Sequence, residues 1–252
     1  MKPGYEPQPE RLPAEANGLH PEREGEEQAA SFWAWLTVLY APGDTMAHAL
    51  SRFNLLLQWS VLALAAGVIG GLTAYAAYAR GLLFEQWGEF LASGELALGS
   101  AFLPAFVLLS GLGQAAGMAV SVLVPTLILF SFLRLGGEMV SFDRVLGIMI
   151  LSFTPVLIGQ VVNLLLLDYG TLLVAKTSAA YALLGMVEHP FMLALLSSVD
   201  VFDLWRYALV GLGLSRVARI PLASGMGLAM GYWAVSVIVL SLLAFIGESR
   251  LW

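Results

Sequence analysis

The chain has 252 residues, of which 59% are hydrophobic and only 12% charged, and its mean hydropathy is +0.80. That balance excludes a soluble domain of this size and points to a helical integral membrane protein. Much of the formal charge of −6 lies in the first thirty residues. There is no basic patch to hold nucleic acid, and the lack of cysteine removes disulfides, thiolate catalysis and cysteine-bound metals together.

Residues 1–30 carry five prolines and seven glutamates without a large apolar cluster. Such a stretch cannot bury enough surface to offset its ordering entropy, so a disordered acidic tail is expected at 1–30, ahead of a membrane domain at 31–252. The tail has no apolar core of the signal-peptide kind, and the first span is expected to serve as its own insertion signal.

Residues 31–40 (SFWAWLTVLY) are too few to cross a bilayer. Phe32, Trp33, Trp35 and Tyr40 suit the headgroup level, so a short interfacial helix is expected, stopped by Pro42–Gly43–Asp44. Asp44 or Thr45 is then expected to cap a second short helix running to Arg52. The first clear span is 54–79, with Gly67 and Gly71 at the four-residue spacing that lets helices approach closely. Residues 81–100 place apolar side chains at helical spacing among Glu85, Glu89 and Glu95, which predicts an acidic amphipathic helix in the interface.

The apolar run 101–135 is too long for one untilted span. Pro104 and Pro125 punctuate it, so the second span is placed at 106–133, with the residues before it forming a turn. It contains Gly113 and Gly117 at four-residue spacing. The third span is expected at 145–167. Pro155 should bend it, Ser152 and Thr154 can bond backbone carbonyls near the bend, and Gln160 and Asn163 share a face. Residues 168–198 are ambiguous. The run 171–187 is interrupted by Lys176, so an interfacial or re-entrant segment is expected there rather than a sixth span.

Residues 199–221 (VDVFDLWRYALVGLGLSRVARIP) are the anomaly. This stretch, read as the fourth span at 199–220, carries Asp200, Asp203 and Arg206 at one end and Arg216 and Arg219 at the other. Two readings stand. The charges are headgroup anchors, the reading favoured here, or one carboxylate faces Gln160 and Asn163 across a polar centre between the third and fourth spans. Asp203 and Arg206 are three apart and can pair. Gly211 and Ser215 add another small-residue pair, and the fifth span at 222–246 repeats Ala223, Gly227 and Gly231. Small residues in several spans predict a compact bundle, with homo-oligomer contact through such a face as the alternative.

Five spans put the two ends on opposite sides. Arg52, Arg134, Arg144, Arg216 and Arg219 fall on the amino-terminal side, against Arg80, Lys176, Arg206 and Arg250, so the amino terminus is expected in the cytoplasm. The three histidines, His20, His48 and His189, form no zinc helix pair, and neither a nucleophile elbow nor a phosphate-binding loop is present. No enzyme, no cofactor and no metal site is expected.

The third and fourth spans, with the turns leading into them, resemble the Yip family of membrane proteins. The residues that carry this are Ser141–Phe142 ahead of a span with Ser152 and Pro155 (SFTP), then Asp200, Phe202 and Trp205 leading to Gly211 and Gly213. An apolar helix ending in Pro42 before the first span also fits, and the likeness covers roughly 31–246. It implies an all-α membrane protein, a five-span helical bundle with interfacial helices and a cytoplasmic amino terminus. It also implies a role in organising partners in the membrane, where eukaryotic members act in trafficking with Rab-type GTPases. This chain lacks the tyrosine-glycine-proline motif of those members. The expected partners are therefore the lipid bilayer, a second copy, or an unidentified membrane or cytoplasmic protein, in a cytoplasmic or plasma membrane. A small transporter, channel or lipid-moving protein, with a polar path between the third and fourth spans, is the alternative.

Overall fold

The computed structural model describes residues 33–48, 54–82, 102–167, 177–183, 185–187 and 189–248. The tail at 1–30, the expected end of the second short helix at Arg52, the expected amphipathic helix at 81–100 beyond its first two residues, and the first nine residues of the ambiguous 168–198 stretch lie outside them. The described residues are almost entirely helical. In chain order the helices are α1 (33–40), α2 (Pro42–His48), α3 (Leu55–Ala79), α4 (Phe102–Leu135) and α5 (Phe142–Leu151). They continue with α6 (Thr154–Leu165), α7 (Ala179–Ala182), α8 (Pro190–Ser197), α9 (Val201–Ala218) and α10 (Leu222–Glu248). Among the described residues four segments are long and apolar enough to cross a membrane: Leu55–Ala79, Phe102–Leu135, Phe142–Leu165 and Leu222–Ile246.

The short helices meet differently from the sequence expectation. Pro42–Gly43–Asp44 is the first turn of α2 rather than a stop, and Asp44 and Thr45 lie inside that helix instead of capping it, because a proline with φ already set and no N–H to satisfy suits a helix's first position. The break between α1 and α2 is a single residue, Ala41, and its carbonyl accepts from both the backbone N–H and the hydroxyl of Thr45. Ala34, Val38 and Met46 are buried in the core, while Trp33 and Tyr40 stay exposed. Trp35 donates its indole N–H to Gln58 and so fastens α1 to the start of α3, which Asn54 caps through the N–H of Leu57.

The second span is one continuous helix of 34 residues that includes 102–105, not a turn followed by a shorter span. Pro104 falls in its first turn, where no intrahelical N–H is lost. At 1.5 Å per residue this helix is about 51 Å long, well beyond a hydrocarbon core. Gly137, at φ +88°, ends it in the left-handed conformation that glycine adopts without strain. The third span is broken into α5 and α6 at Ser152–Phe153. Pro155 has no N–H for the carbonyl of Leu151, and the Thr154 hydroxyl donates to that carbonyl at 2.8 Å instead; Ser152 donates to Ile148. Every residue from Val145 to Pro155 is buried, so this kink sits at the centre of the core.

α9 is the other central element. It packs against α2, α5, α6 and α10, whereas α3 and α4 pair with one another along one side. Small residues make both of the close contacts, but in a shifted frame. Gly67 and Gly71 meet α4 as the spacing predicts, yet the partner is Gly111: a methyl group there would stand 2.8 Å from the Gly67 carbonyl oxygen. Gly113 and Gly117 have nothing within 4 Å of such a methyl. Likewise Gly211 and Ser215 pack on Gly225 and Met226, while Gly227 and Gly231 have no such neighbours. A four-residue spacing marks two faces of a helix equally well, and only the neighbour decides which one is used.

Gly111→Leu is therefore expected to lower the unfolding temperature in detergent, corresponding to about 1–3 kcal/mol of overpacking, whereas Gly113→Leu leaves it within about 0.5 kcal/mol of the parent. Thermal unfolding of the two variants side by side checks the shifted frame; equal losses contradict it.

Candidate functional site

The polar residues of the anomalous stretch separate into two groups. Asp200 caps α9, accepting the N–H of Phe202 at 2.7 Å. Its other oxygen accepts the Thr177 hydroxyl, and Asn163 donates to that same hydroxyl at 3.0 Å and to the Gly159 carbonyl at 2.9 Å. Asp200 thus reaches the third span through one intervening threonine. The backbone adds a bridge between Ser178 and Asp200, with the N–H of Ala179 donating to Val199 at 2.8 Å. This network ties the start of α9 to α6 and to the turn before α7.

Asp203 and Arg206 belong to the second group, which is held at α4 and at the kink between α5 and α6. Arg206 is buried, 5% exposed, and its guanidinium donates through Nη2 to the backbone carbonyl of Ser121 at 2.7 Å. That carbonyl is free for a definite reason. In α4 its ordinary partner is the N–H four residues on, and that residue is Pro125, which has none. The proline opens one acceptor in the wall of a long apolar helix, and arginine fills it. The guanidinium also lies 3.8 Å from the centre of the Phe153 ring, at the kink between α5 and α6, and 5.0 Å from that of Tyr207. Asp203 stands 3.9 Å from Nη1, a loose ion pair whose carboxylate remains 39% exposed. Among the described residues the Nε of Arg206 and the Oε1 of Gln160 are buried without a hydrogen-bond partner.

The two ends of the stretch differ in burial, and a headgroup anchor does not describe the buried Arg206. Arg216 and Arg219 are exposed, and Arg219 closes α9 with φ +57° just before Pro221. Arg206 is about 18 Å from that end of the helix, by 1.5 Å per residue, and is held by its neighbours rather than by water. Nothing in the sequence spacing links Ser121 to Arg206. The one available signal was Pro125 itself, since a proline inside a span implies a carbonyl in search of a donor.

The space between the third span and α9, where the alternative reading puts a polar path, is tightly packed at two positions. Phe202 lies on Gly159, where a methyl group would stand 2.7 Å from its ring, and Ile148 lies equally close on Gly213. Trp205 is partly exposed, and Pro155 and Ser152 shape the kink described above. The open space is elsewhere. A cleft of about 950 Å3 lies between α4, α9 and α10, with Ser121, Pro125, Asp203, Arg206, Tyr207 and Tyr232 in its wall.

α8 and α9 run along α10 in one antiparallel order. His189 and Phe191 both meet Phe245, Tyr207 meets Tyr232, and Gly211 meets Met226. The two helices are separated only by Ser198–Asp200. No group of three or more metal-ligating side chains occurs among the described residues. The chain matches no protein-family model, no curated protein and no solved structure with which it was compared.

Replacing Arg206 by Met strands the Ser121 carbonyl and is expected to cost about 1–3 kcal/mol. Adding Pro125→Ala returns the missing N–H to α4. The double variant Arg206→Met/Pro125→Ala should therefore unfold at a higher temperature than Arg206→Met alone. A double-mutant cycle with no coupling between the two positions contradicts this account.

Proposed function

We propose that the chain is a non-enzymatic, five-span membrane protein of the Yip type that organises or scaffolds partner proteins in a cytoplasmic or plasma membrane. In this reading α8 and α9 together make the additional crossing, interrupted at Ser198–Asp200. Each is too short or too charged to span alone, but their combined 190–218 stretch runs antiparallel to α10 over nearly its whole length. α1 and α2 act as interfacial helices beneath the end of α9 that carries Arg216 and Arg219; Gly43 of α2 lies beside the Arg216 guanidinium. Arg206 leaves the count of interfacial charges once it is assigned to the bundle. Arg52, Arg134, Arg144, Arg216 and Arg219 then stand against Arg80, Lys176 and Arg250, which favours a cytoplasmic amino terminus.

The observation that carries the scaffolding reading is the closed interface between the third and fourth spans. Phe202 on Gly159 and Ile148 on Gly213 leave no room there, and Asp200 spends both oxygens on bonds within the bundle. Polar side chains used in this way hold a particular arrangement of helices together. The family resemblance supplies the organising role, and the proposal of no catalysis rests on the lack of a nucleophile elbow, a phosphate-binding loop or a zinc helix pair in the sequence. A second reading, a small transporter or lipid-moving protein, is favoured by the cleft beside α9, where Asp203 and Arg206 form a polar floor.

Reporter fusions are expected to place the two termini on opposite sides of the membrane, and reconstituted liposomes to show ion leak and lipid flip no faster than protein-free ones. A flux that Asp203→Asn abolishes while the fold is retained replaces the scaffolding reading with the second; termini on the same side remove the fifth crossing.

A further inference from the structure

The cleft between α4, α9 and α10 has walls and a floor of different chemistry. Its rims are apolar and exposed: Val120 and Phe132 on α4, Val235 and Leu240 on α10. α4 and α10 pack only sparsely on one another, so the space opens sideways between their exposed rims. In a bilayer an opening of this kind is filled by hydrocarbon, because water has no polar partners along such rims. Its volume of about 950 Å3 is at the upper end of the range for bound small molecules.

The floor lies deep. Tyr232 is ten residues into α10, about 15 Å from its start, with roughly 21 Å of helix remaining to Ile246. Asp203 and Arg206 sit at this level, on the helix that packs beside it. Their charges cancel, and the guanidinium is already engaged by the Ser121 carbonyl and the Phe153 ring. A charged headgroup drawn to this depth would add an uncompensated charge far from water. An uncharged headgroup would not. A hydroxyl can donate to the part-exposed Asp203 carboxylate, which has lone pairs left over from its loose contact with Nη1.

We infer that the cleft binds an uncharged, hydroxyl-bearing membrane lipid of the diacylglycerol kind, with its acyl chain between α4 and α10 and its hydroxyl on Asp203. The inference rests on α8 and α9 lying within the bilayer, as proposed above. The reporter fusions test that premise by themselves, whereas the following competition reads only the choice of headgroup.

The probe is a diacylglycerol bearing a diazirine in one acyl chain, added to the full chain in phosphatidylcholine nanodiscs. Photolabelling is expected to saturate and to map to α4 and α10 around Val124 and Val235. Excess unlabelled diacylglycerol should reduce it at least fivefold, and the same amount of phosphatidate less than twofold. Gly231→Trp fills the cleft and should abolish labelling; a Cβ at Gly231 or at Gly227 meets nothing within 4 Å, so a larger residue can start from either position, and Gly227→Leu serves if the tryptophan variant fails to fold. Asp203→Asn leaves the arginine charge unbalanced, so phosphatidate should then compete at least as well as diacylglycerol. The inference is overturned if phosphatidate competes equally with the parent chain, or if labelling survives in a folded cleft-filling variant. Cross-linking of two copies across the cleft in place of lipid labelling overturns it as well, and identifies a second chain as the occupant.

Discussion

The bundle turns on one hydrogen bond between a backbone atom and a buried cation. Pro125 takes an N–H out of α4, and the carbonyl of Ser121 is left facing into apolar surroundings. Arg206 is a buried charge in the second turn of α9 that would be costly to keep there alone. Each is a liability, and each satisfies the other at 2.7 Å. The contact joins helices 85 residues apart in the chain and sets the rotation of α9 about its axis. With Arg206 turned toward α4, Asp203 faces the cleft, Phe202 falls on Gly159, and Gly211 is presented to α10.

The rest of the core follows from where backbones are allowed to touch. α3 meets α4 at Gly67 and Gly111, and α9 meets α10 at Gly211 and Gly225, with carbonyl oxygens close enough to exclude any side chain. In a bilayer no hydrophobic force separates helix from lipid, so close backbone approach is what makes one arrangement better than another. Between these two tight pairs, α5 and α6 fill the centre with large apolar side chains. The Phe153 ring at their junction shields one face of the Arg206 guanidinium.

Three interruptions are built on the same chemistry with different reach. At Pro155 the freed carbonyl of Leu151 is taken by Thr154, and at the break before α9 the open N–H of Phe202 is taken by Asp200. Both repairs stay within four residues. The repair at Pro125 comes from another helix. Local repairs bend or cap a helix where it stands, whereas the distant one decides which helices are neighbours and leaves the cleft open beside them.

Composition and hydropathy alone pointed to helices long and apolar enough to cross a membrane, because apolar runs of this length are stable in few other solvents. Local spacing placed the start of α3 at Asn54, the kink at Pro155 and the bonds of Ser152 and Thr154, since those partners are covalently close. The tertiary structure decided the rest. It chose Gly111 over Gly113 and Gly225 over Gly227, it carried α4 back to Phe102, and it moved Arg206 from the headgroups to the carbonyl of Ser121. A four-residue spacing repeats around a helix and names no partner, and a carbonyl freed by proline accepts from whatever donor packing brings to it. Asp200 and Arg206 look alike on the page as charges six residues apart; one became a cap and the other a bolt between helices, because only the packed bundle says which way each side of α9 faces.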